Sequence, residues 1–124
     1  MSTGRSFVRY VLVGGVATAA HWSLLALLVE ADWAPAWVGS GAGAVLGAQV
    51  AFVGNRRFTF GHRGPWRQAW WRFMGTALLG AVAGMAIVAA GVALGLHYLL
   101  AQAVATLAAM LLTFGVNRGW TFAR

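Results

Sequence analysis

A nine-residue stretch occurs twice in this chain. Phe52-Val53-Gly54-Asn55-Arg56-Arg57-Phe58-Thr59-Phe60 returns 62 residues later as Phe114-Gly115-Val116-Asn117-Arg118-Gly119-Trp120-Thr121-Phe122. Five of the nine positions are identical, and the seventh is aromatic in both copies. Each copy closes a long apolar run. A period of half the chain means one structural unit built twice. Each unit is an apolar run, a turn, a second apolar run and the motif.

Polarity decides what such a unit can be. Of 124 residues, 60% are hydrophobic and 9% are charged. Average soluble domains carry about 25% charged residues. Eleven charges cannot cover the surface of a water-soluble fold of this size, so the bilayer is the solvent for most of the chain. The four apolar runs span about 7–29, 36–54, 73–96 and 98–116. The first would extend roughly 35 Å as a helix, more than the ~30 Å hydrocarbon core. Ala17-Thr18-Ala19 resembles a leader cleavage site, but the run continues beyond it and reads as a spanning helix. The expected fold is an all-α integral membrane protein, a single domain over 1–124. It has four transmembrane helices from a duplicated parallel helical hairpin.

The small residues follow helical spacing. Gly39, Gly43 and Gly47 form one ridge on the second helix. Gly80, Gly84, Gly91 and Gly95 form another on the third, and Ala101, Ala105 and Ala108 a small face on the fourth. In lipid such ridges let helices approach closely. Arg67 to Arg72, with Trp70 and Trp71, reads as a short interfacial helix before the third span.

The net charge is +7, and every basic residue is Arg. Arg5 precedes the first helix and Arg9 lies in its first turn. Arg56, Arg57, Arg63, Arg67 and Arg72 lie between the second and third, and Arg118 and Arg124 follow the fourth. The other two loops hold no Arg. By the positive-inside rule both termini face the cytoplasm, and the two hairpins repeat in parallel about an axis along the membrane normal. Charge confined to one membrane face suits anionic headgroups better than nucleic acid.

With these features the chain resembles the GtrA-like family of small four-helix membrane proteins. The resemblance rests on Phe7-Val8-Arg9-Tyr10 before a Gly-rich first helix, on the two Asn-Arg-x-aromatic-Thr-Phe motifs, and on Arg72-Phe73-Met74-Gly75 at the restart of the second half. It covers about Phe7 to Phe122. It implies a role in cell-surface polysaccharide synthesis, probed below as two alternatives. One is flipping of polyprenyl-phosphate-linked sugars across a bacterial inner membrane. The other is anchoring and recruitment of the glycosyltransferase that uses them. Gly119 departs from the pattern, standing where a second basic residue is expected, so the two copies are not equivalent toward phosphate.

The motif itself admits two chemistries. Asn55 and Asn117 can cap a helix end, with Arg56, Arg57 and Arg118 complementing the negative end of its dipole and anchoring to headgroups. Alternatively, Asn55, Arg56, Arg57, Asn117 and Arg118 form a lipid-phosphate site, the Arg forks holding the phosphate in bidentate fashion with Arg56 and Arg118 converging on one group. His21, about 20 Å along the first helix, and Gln49 and Gln102 are candidate pathway-lining residues or interhelical hydrogen-bond partners. Glu30 and Asp32 read as a solvated loop.

With no cysteine, no carboxylate pair and no nucleophile beside a base, the chain is not expected to be an enzyme. No cofactor or metal is implied. The small multidrug-exporter pattern needs an ionisable Glu embedded in the first helix, and Glu30 sits at that helix's end. The expected partners are the membrane, a polyprenyl-phosphate sugar lipid, and a glycosyltransferase or further copies of the chain.

Overall fold

The computed structural model describes residues 3–59, 61 and 64–121. Phe60, Arg63, Phe122 and Arg124 of the sequence reading lie outside the described residues, as do the side chains of Asn117 and Thr121. Four long helices account for nearly everything else: α1 (Thr3–Glu30), α2 (Ala36–Gly54), α3 (Trp66–Ala93) and α4 (Tyr98–Val116). All four are long and apolar enough to span a bilayer. The protein is an integral membrane protein.

The lengths repeat as the sequence does. α1 and α3 have 28 residues each, and α2 and α4 have 19. At 1.5 Å per residue the longer pair reaches about 42 Å and overshoots a ~30 Å hydrocarbon core. The overshoot of α3 absorbs the stretch expected as a separate interfacial helix. Trp66 to Arg72 form its first turns, because Pro65 suits the start of a helix and nothing after it interrupts the backbone bonding.

Both outer turns are built alike. α1 ends on Asp32 with φ 57°, and α3 ends on Gly95 with φ 93°. At each, the residue after the left-handed position bonds five residues back, Trp33 to Leu28 and Leu96 to Gly91. The left-handed residue itself bonds Val29 or Val92. This closes carbonyls that a helix end leaves unpaired. Asp32 is therefore a helix stop, and Glu30 accepts a hydrogen bond from the Tyr98 hydroxyl at 2.8 Å. Neither is a merely solvated loop residue. Gly95 likewise belongs to this turn and not to the packing ridge of α3.

Many large apolar side chains point outward, while small residues, with Leu25, Val88, Phe52 and Phe73, fill the interior. Leu78, Val82, Leu107 and Leu111 are exposed, as lipid-facing residues must be. On α2, Gly39, Gly43 and Gly47 are buried against Leu25, His21 and Ala17 of α1. On α3, Gly80, Gly84 and Gly91 meet Thr113, Ala109, Ala105 and Ala101 of α4. Ala101 and Ala105 are buried as expected, but Ala108 is exposed. The i, i+4 spacing passes the inward position to Ala109, which faces Gly80.

Within each half the two helices pack together, α1 on α2 and α3 on α4, and α2 also packs on α3. The α1–α4 seam is sparser. It is bridged by side chains: Tyr10 Oη to Thr113 Oγ1 at 2.6 Å, Trp22 Nε1 to Thr106 Oγ1 at 3.2 Å, and edge-to-face contacts of Phe7 and Tyr10 with Phe114. The pairs Tyr10–Phe114 and Phe52–Phe73 are counterparts under the repeat, with ring centres 4.9 and 5.6 Å apart.

Candidate functional site

The Asn-Arg motif does not stop its helix. Asn55 keeps helical dihedrals, and residues 55–59 continue as one π-helical turn; residues 117–121 do the same after α4. Such a wider turn skips one residue in the hydrogen-bond ladder. In the first copy a side-chain pair braces it. Thr59 Oγ1 donates to Asn55 Oδ1 at 2.7 Å, and both residues are buried. The capping expectation for Asn55 is thus replaced: its carbonyl oxygen serves the turn and does not close a helix end.

A second brace comes from the preceding long helix of the same half. Arg9 on α1 donates to the Phe58 carbonyl at 3.1 Å, its guanidinium 4.9 Å from the Phe58 ring centre. Arg72 on α3 donates to the Trp120 carbonyl at 3.1 Å and lies 5.4 Å from the Trp120 ring centre. A π-turn leaves a carbonyl for such a donor, and an Arg over an aromatic face adds a cation–π contact. Sequence reading placed Arg9 and Arg72 at the membrane interface and in the family resemblance, and gave neither a partner. The signal it lacked was that each has an aromatic partner in the motif of its own half.

These braces occupy Arg9 and Arg72, and leave Arg56 and Arg57 at a groove. A surface groove of about 400 Å³ is walled by Gln49, Phe52, Val53, Arg56, Arg57, Trp66 and Trp70. Trp70 Nε1 donates to Gln49 Oε1 at 3.1 Å, which fixes one wall. Arg56 Nη2 donates to the Gly64 carbonyl at 2.9 Å, while its Nε is enclosed without a hydrogen-bond partner. A buried donor of a cation lacking an acceptor is uncommon and calls for an anion or water. Asn55, bonded to Thr59, is not one of its walls and lines a cavity along the bundle axis instead. Arg118 is exposed and is not one of its walls; it follows α4, whose π-turn packs on α3 and α4, while the first packs on α1 and α2.

A second space runs between the four helices. This cavity, about 150 Å³, reaches from Asn55 toward Ser40, Gln102 and Thr106, with His21 in its wall. Ser40 Oγ donates to Gln102 Oε1 at 2.6 Å, and Gln102 Nε2 donates to Thr106 Oγ1 at 3.0 Å. Trp22 joins at Thr106, so α1, α2 and α4 share one polar network. His21 interacts with the Ser40 backbone, and its Nε2 is buried with no partner. Of the three pathway candidates, His21 and Gln102 line this cavity; Gln49 belongs to the basic groove instead. Ser40 and Thr106 escaped sequence reading because isolated hydroxyls in apolar helices are common. Among the described residues, no group of three His, Asp or Glu is placed to hold a metal.

The chain therefore offers an Arg- and Trp-walled groove at one end of the bundle and a sparsely polar cavity along its axis. No curated protein matches it. A family profile described as the GtrA/DPMS transmembrane domain matches residues 9–122, which takes in all four helices and both motifs. The chain belongs to the GtrA/DPMS transmembrane domain family.

Proposed function

We propose that this protein moves a polyprenyl-phosphate-linked sugar across the membrane for synthesis of a cell-surface polysaccharide. The observation that carries the reading is the pairing of two unlike sites in one small bundle. Arg56 and Arg57, beside Trp66 and Trp70, suit a phosphate and its adjoining apolar chain at the headgroup level. The axial cavity supplies neutral hydrogen-bonding groups to a sugar, which hydrocarbon does not. The described Arg residues lie at the motif end, and on the positive-inside rule we assign that end and both termini to the cytoplasm of a bacterial inner membrane. The role is non-catalytic.

One observation favours the second reading, a membrane anchor that recruits a polyprenyl-phosphate glycosyltransferase. A cavity of about 150 Å³ falls below the roughly 300–1,000 Å³ of ordinary ligand pockets. Four helices alone enclose little, so passage needs the helices to part or a partner, a transferase or a second copy, to complete the path.

Reconstitution separates the two. Purified protein in vesicles is expected to expose a labelled polyprenyl-phosphate sugar to the opposite leaflet without any transferase present. Absence of movement, with restored polymer synthesis only when the transferase is co-reconstituted, would establish recruitment. In the same preparation Arg56→Gln is expected to weaken binding of a short-chain polyprenyl phosphate by about 1.5–3 kcal/mol, the range of a charge-assisted hydrogen bond. Arg56→Lys should restore only part of it, because an ammonium cannot form the fork. Arg118→Gln reports whether the second motif shares the phosphate.

A further inference from the structure

We infer that the seam between α1 and α4 is a lateral gate. It parts to join the axial cavity to the surrounding lipid, while the seam between α2 and α3 stays shut and serves as the hinge. The inference goes beyond transport or recruitment: it names the interface that moves, and it holds for either.

The two seams are equivalent under the repeat, yet they are closed in different ways. Thr3 of α1 answers to Trp66 of α3, and Ala36 of α2 to Tyr98 of α4. Tyr10, Gly14, Thr18 and Trp22 of α1 therefore answer to Phe73, Ala77, Ala81 and Met85 of α3. At the α2–α3 seam, Ala48, Ala51 and Ala77 pack around Phe52 and Phe73. The Met85 sulfur lies where a side chain on Gly41 would be. Small residues of this kind bring two backbones close. The α1–α4 seam is sparser. Where α2 has Ala44, Ala48 and Ala51, α4 has Thr106, Met110 and Thr113. Its two helices are joined by the reach of side chains.

Those joints are few and can be released. Tyr10 Oη bonds Thr113 Oγ1, and Trp22 Nε1 donates to Thr106 Oγ1. At 1.5 Å per residue they stand about 18 Å apart along α1. Hydrogen bonds between helices in a membrane are modest in strength, because a freed group finds other partners. On α4 the partners are already present. Thr113 also donates to the Ala109 carbonyl, and Thr106 also accepts from Gln102. Neither hydroxyl is orphaned when α1 moves away.

Between the two joints lies a window. Gly14 and Thr18 form its α1 side, and both line the cavity. Across from them Met110, another lining residue, places its methyl 3.5 Å from where a Cβ on Gly14 would stand. An unbranched thioether turning about three bonds is an adaptable plug. The closed seam has Ala48 at that position and needs none.

The chain has no cysteine, so spin labels can be placed in pairs. Gly15→Cys with Leu107→Cys spans α1 and α4. Their counterparts, Leu78→Cys with Val45→Cys, span α3 and α2, and all four positions are exposed. Distances are read by pulsed electron paramagnetic resonance on the full chain in phospholipid nanodiscs. The 45–78 pair is expected to give one narrow distribution, and the 15–107 pair a second, longer component. Tyr10→Phe with Trp22→Phe removes both joints and keeps both rings; Phe is what α3 carries in place of Tyr10. This variant is expected to raise the ratio of long to short component roughly fivefold or more and to leave 45–78 unchanged. Narrow distributions at both pairs that the variant does not alter, or opening at 45–78, overturn the gate. A second measurement needs no variant of the seam. Methyl relaxation dispersion on ¹³C-methionine-labelled wild type is expected to show exchange at Met110 and not at Met85; equal behaviour of the two methyls also overturns it. Transport fails separately. A seam that opens in vesicles showing no translocation sinks transport and leaves the gate standing, whereas translocation with both seams shut does the reverse.

Discussion

Gly43 and Gly84 look alike in the sequence, each central to a glycine ridge, yet they tolerate different substitutions. A Cβ on Gly43 runs into the ring and backbone carbonyl of His21, while one on Gly84 rests 3.7 Å from the Ala105 Cβ, ordinary contact. Gly43→Ala is therefore expected to lower stability in detergent by roughly 1–3 kcal/mol, the usual range for overpacking. Gly84→Ala should remain near wild type. Unfolding in SDS, followed by circular dichroism, compares them; equal loss in both would show that the helices reseat freely. Truncating His21 should not rescue Gly43→Ala fully, because the carbonyl remains. Asp32 makes the opposite case. It holds a left-handed conformation that costs a non-glycine residue roughly 1–2 kcal/mol, and the matching turn uses Gly95. Asp32→Gly is expected to raise the thermal midpoint, since its side chain carries no described bond that would be lost. An unchanged or lowered midpoint would mean that the Asp32 carboxylate helps to close the turn.

The π-helical turn is the element whose nature the sequence concealed. Helix positions, the ridge on α2 and the placement of Arg were legible because they depend on composition and spacing. A polar Asn-Arg after an apolar run is ambiguous, however, because a cap and a widened turn both want polar groups there. The spacing of Asn55 and Thr59 was the available clue, since residues four apart share a helix face. The groove was half legible for a related reason. Arg56 and Arg57 were visible as phosphate candidates, but Trp66 and Trp70 reach them only because α3 starts at Trp66 and runs on without a break. Gln49, read as an interhelical hydrogen-bond partner or a pathway group, accepts from Trp70 of α3 and so stands at that groove. Thr59→Val is expected to leave the Asn55 oxygen buried without its donor and to cost about 1–3 kcal/mol. Hydrogen exchange should then quicken at 55–59 and not in α2. Uniform quickening across α2 would make the turn an inseparable part of that helix.

At the scale of the whole molecule, the repeat reaches further than sequence identity. It sets matching helix lengths, matching left-handed turns at Asp32 and Gly95, and matching Arg braces onto Phe58 and Trp120. Each half closes its own α–α interface, α1 on α2 and α3 on α4. The chain cut in the loop at Gly61 and co-expressed as two hairpins is thus expected to reassemble and to co-purify through a tag on either piece. Failure to associate, with each hairpin inserted, would show that the loop is needed to hold the halves.

The bond between Ser40 and Gln102 has a meaning beyond its 2.6 Å length. These residues stand 62 positions apart, the same interval that separates the two motifs. Equivalent residues can touch only at the line that exchanges the halves, so this pair marks that line. In a forebear made of two identical half-length chains, the residue there would have met its own twin. Such a meeting needs a side chain that can both donate and accept, as a hydroxyl or a carboxamide does. Once a gene duplication joined the halves, the two positions were free to diverge, one into a hydroxyl and one into an amide. The same freedom let a histidine arise at position 21 and a glycine at position 84. The lopsided interior of this protein is thus something a dimer of identical subunits could not have evolved.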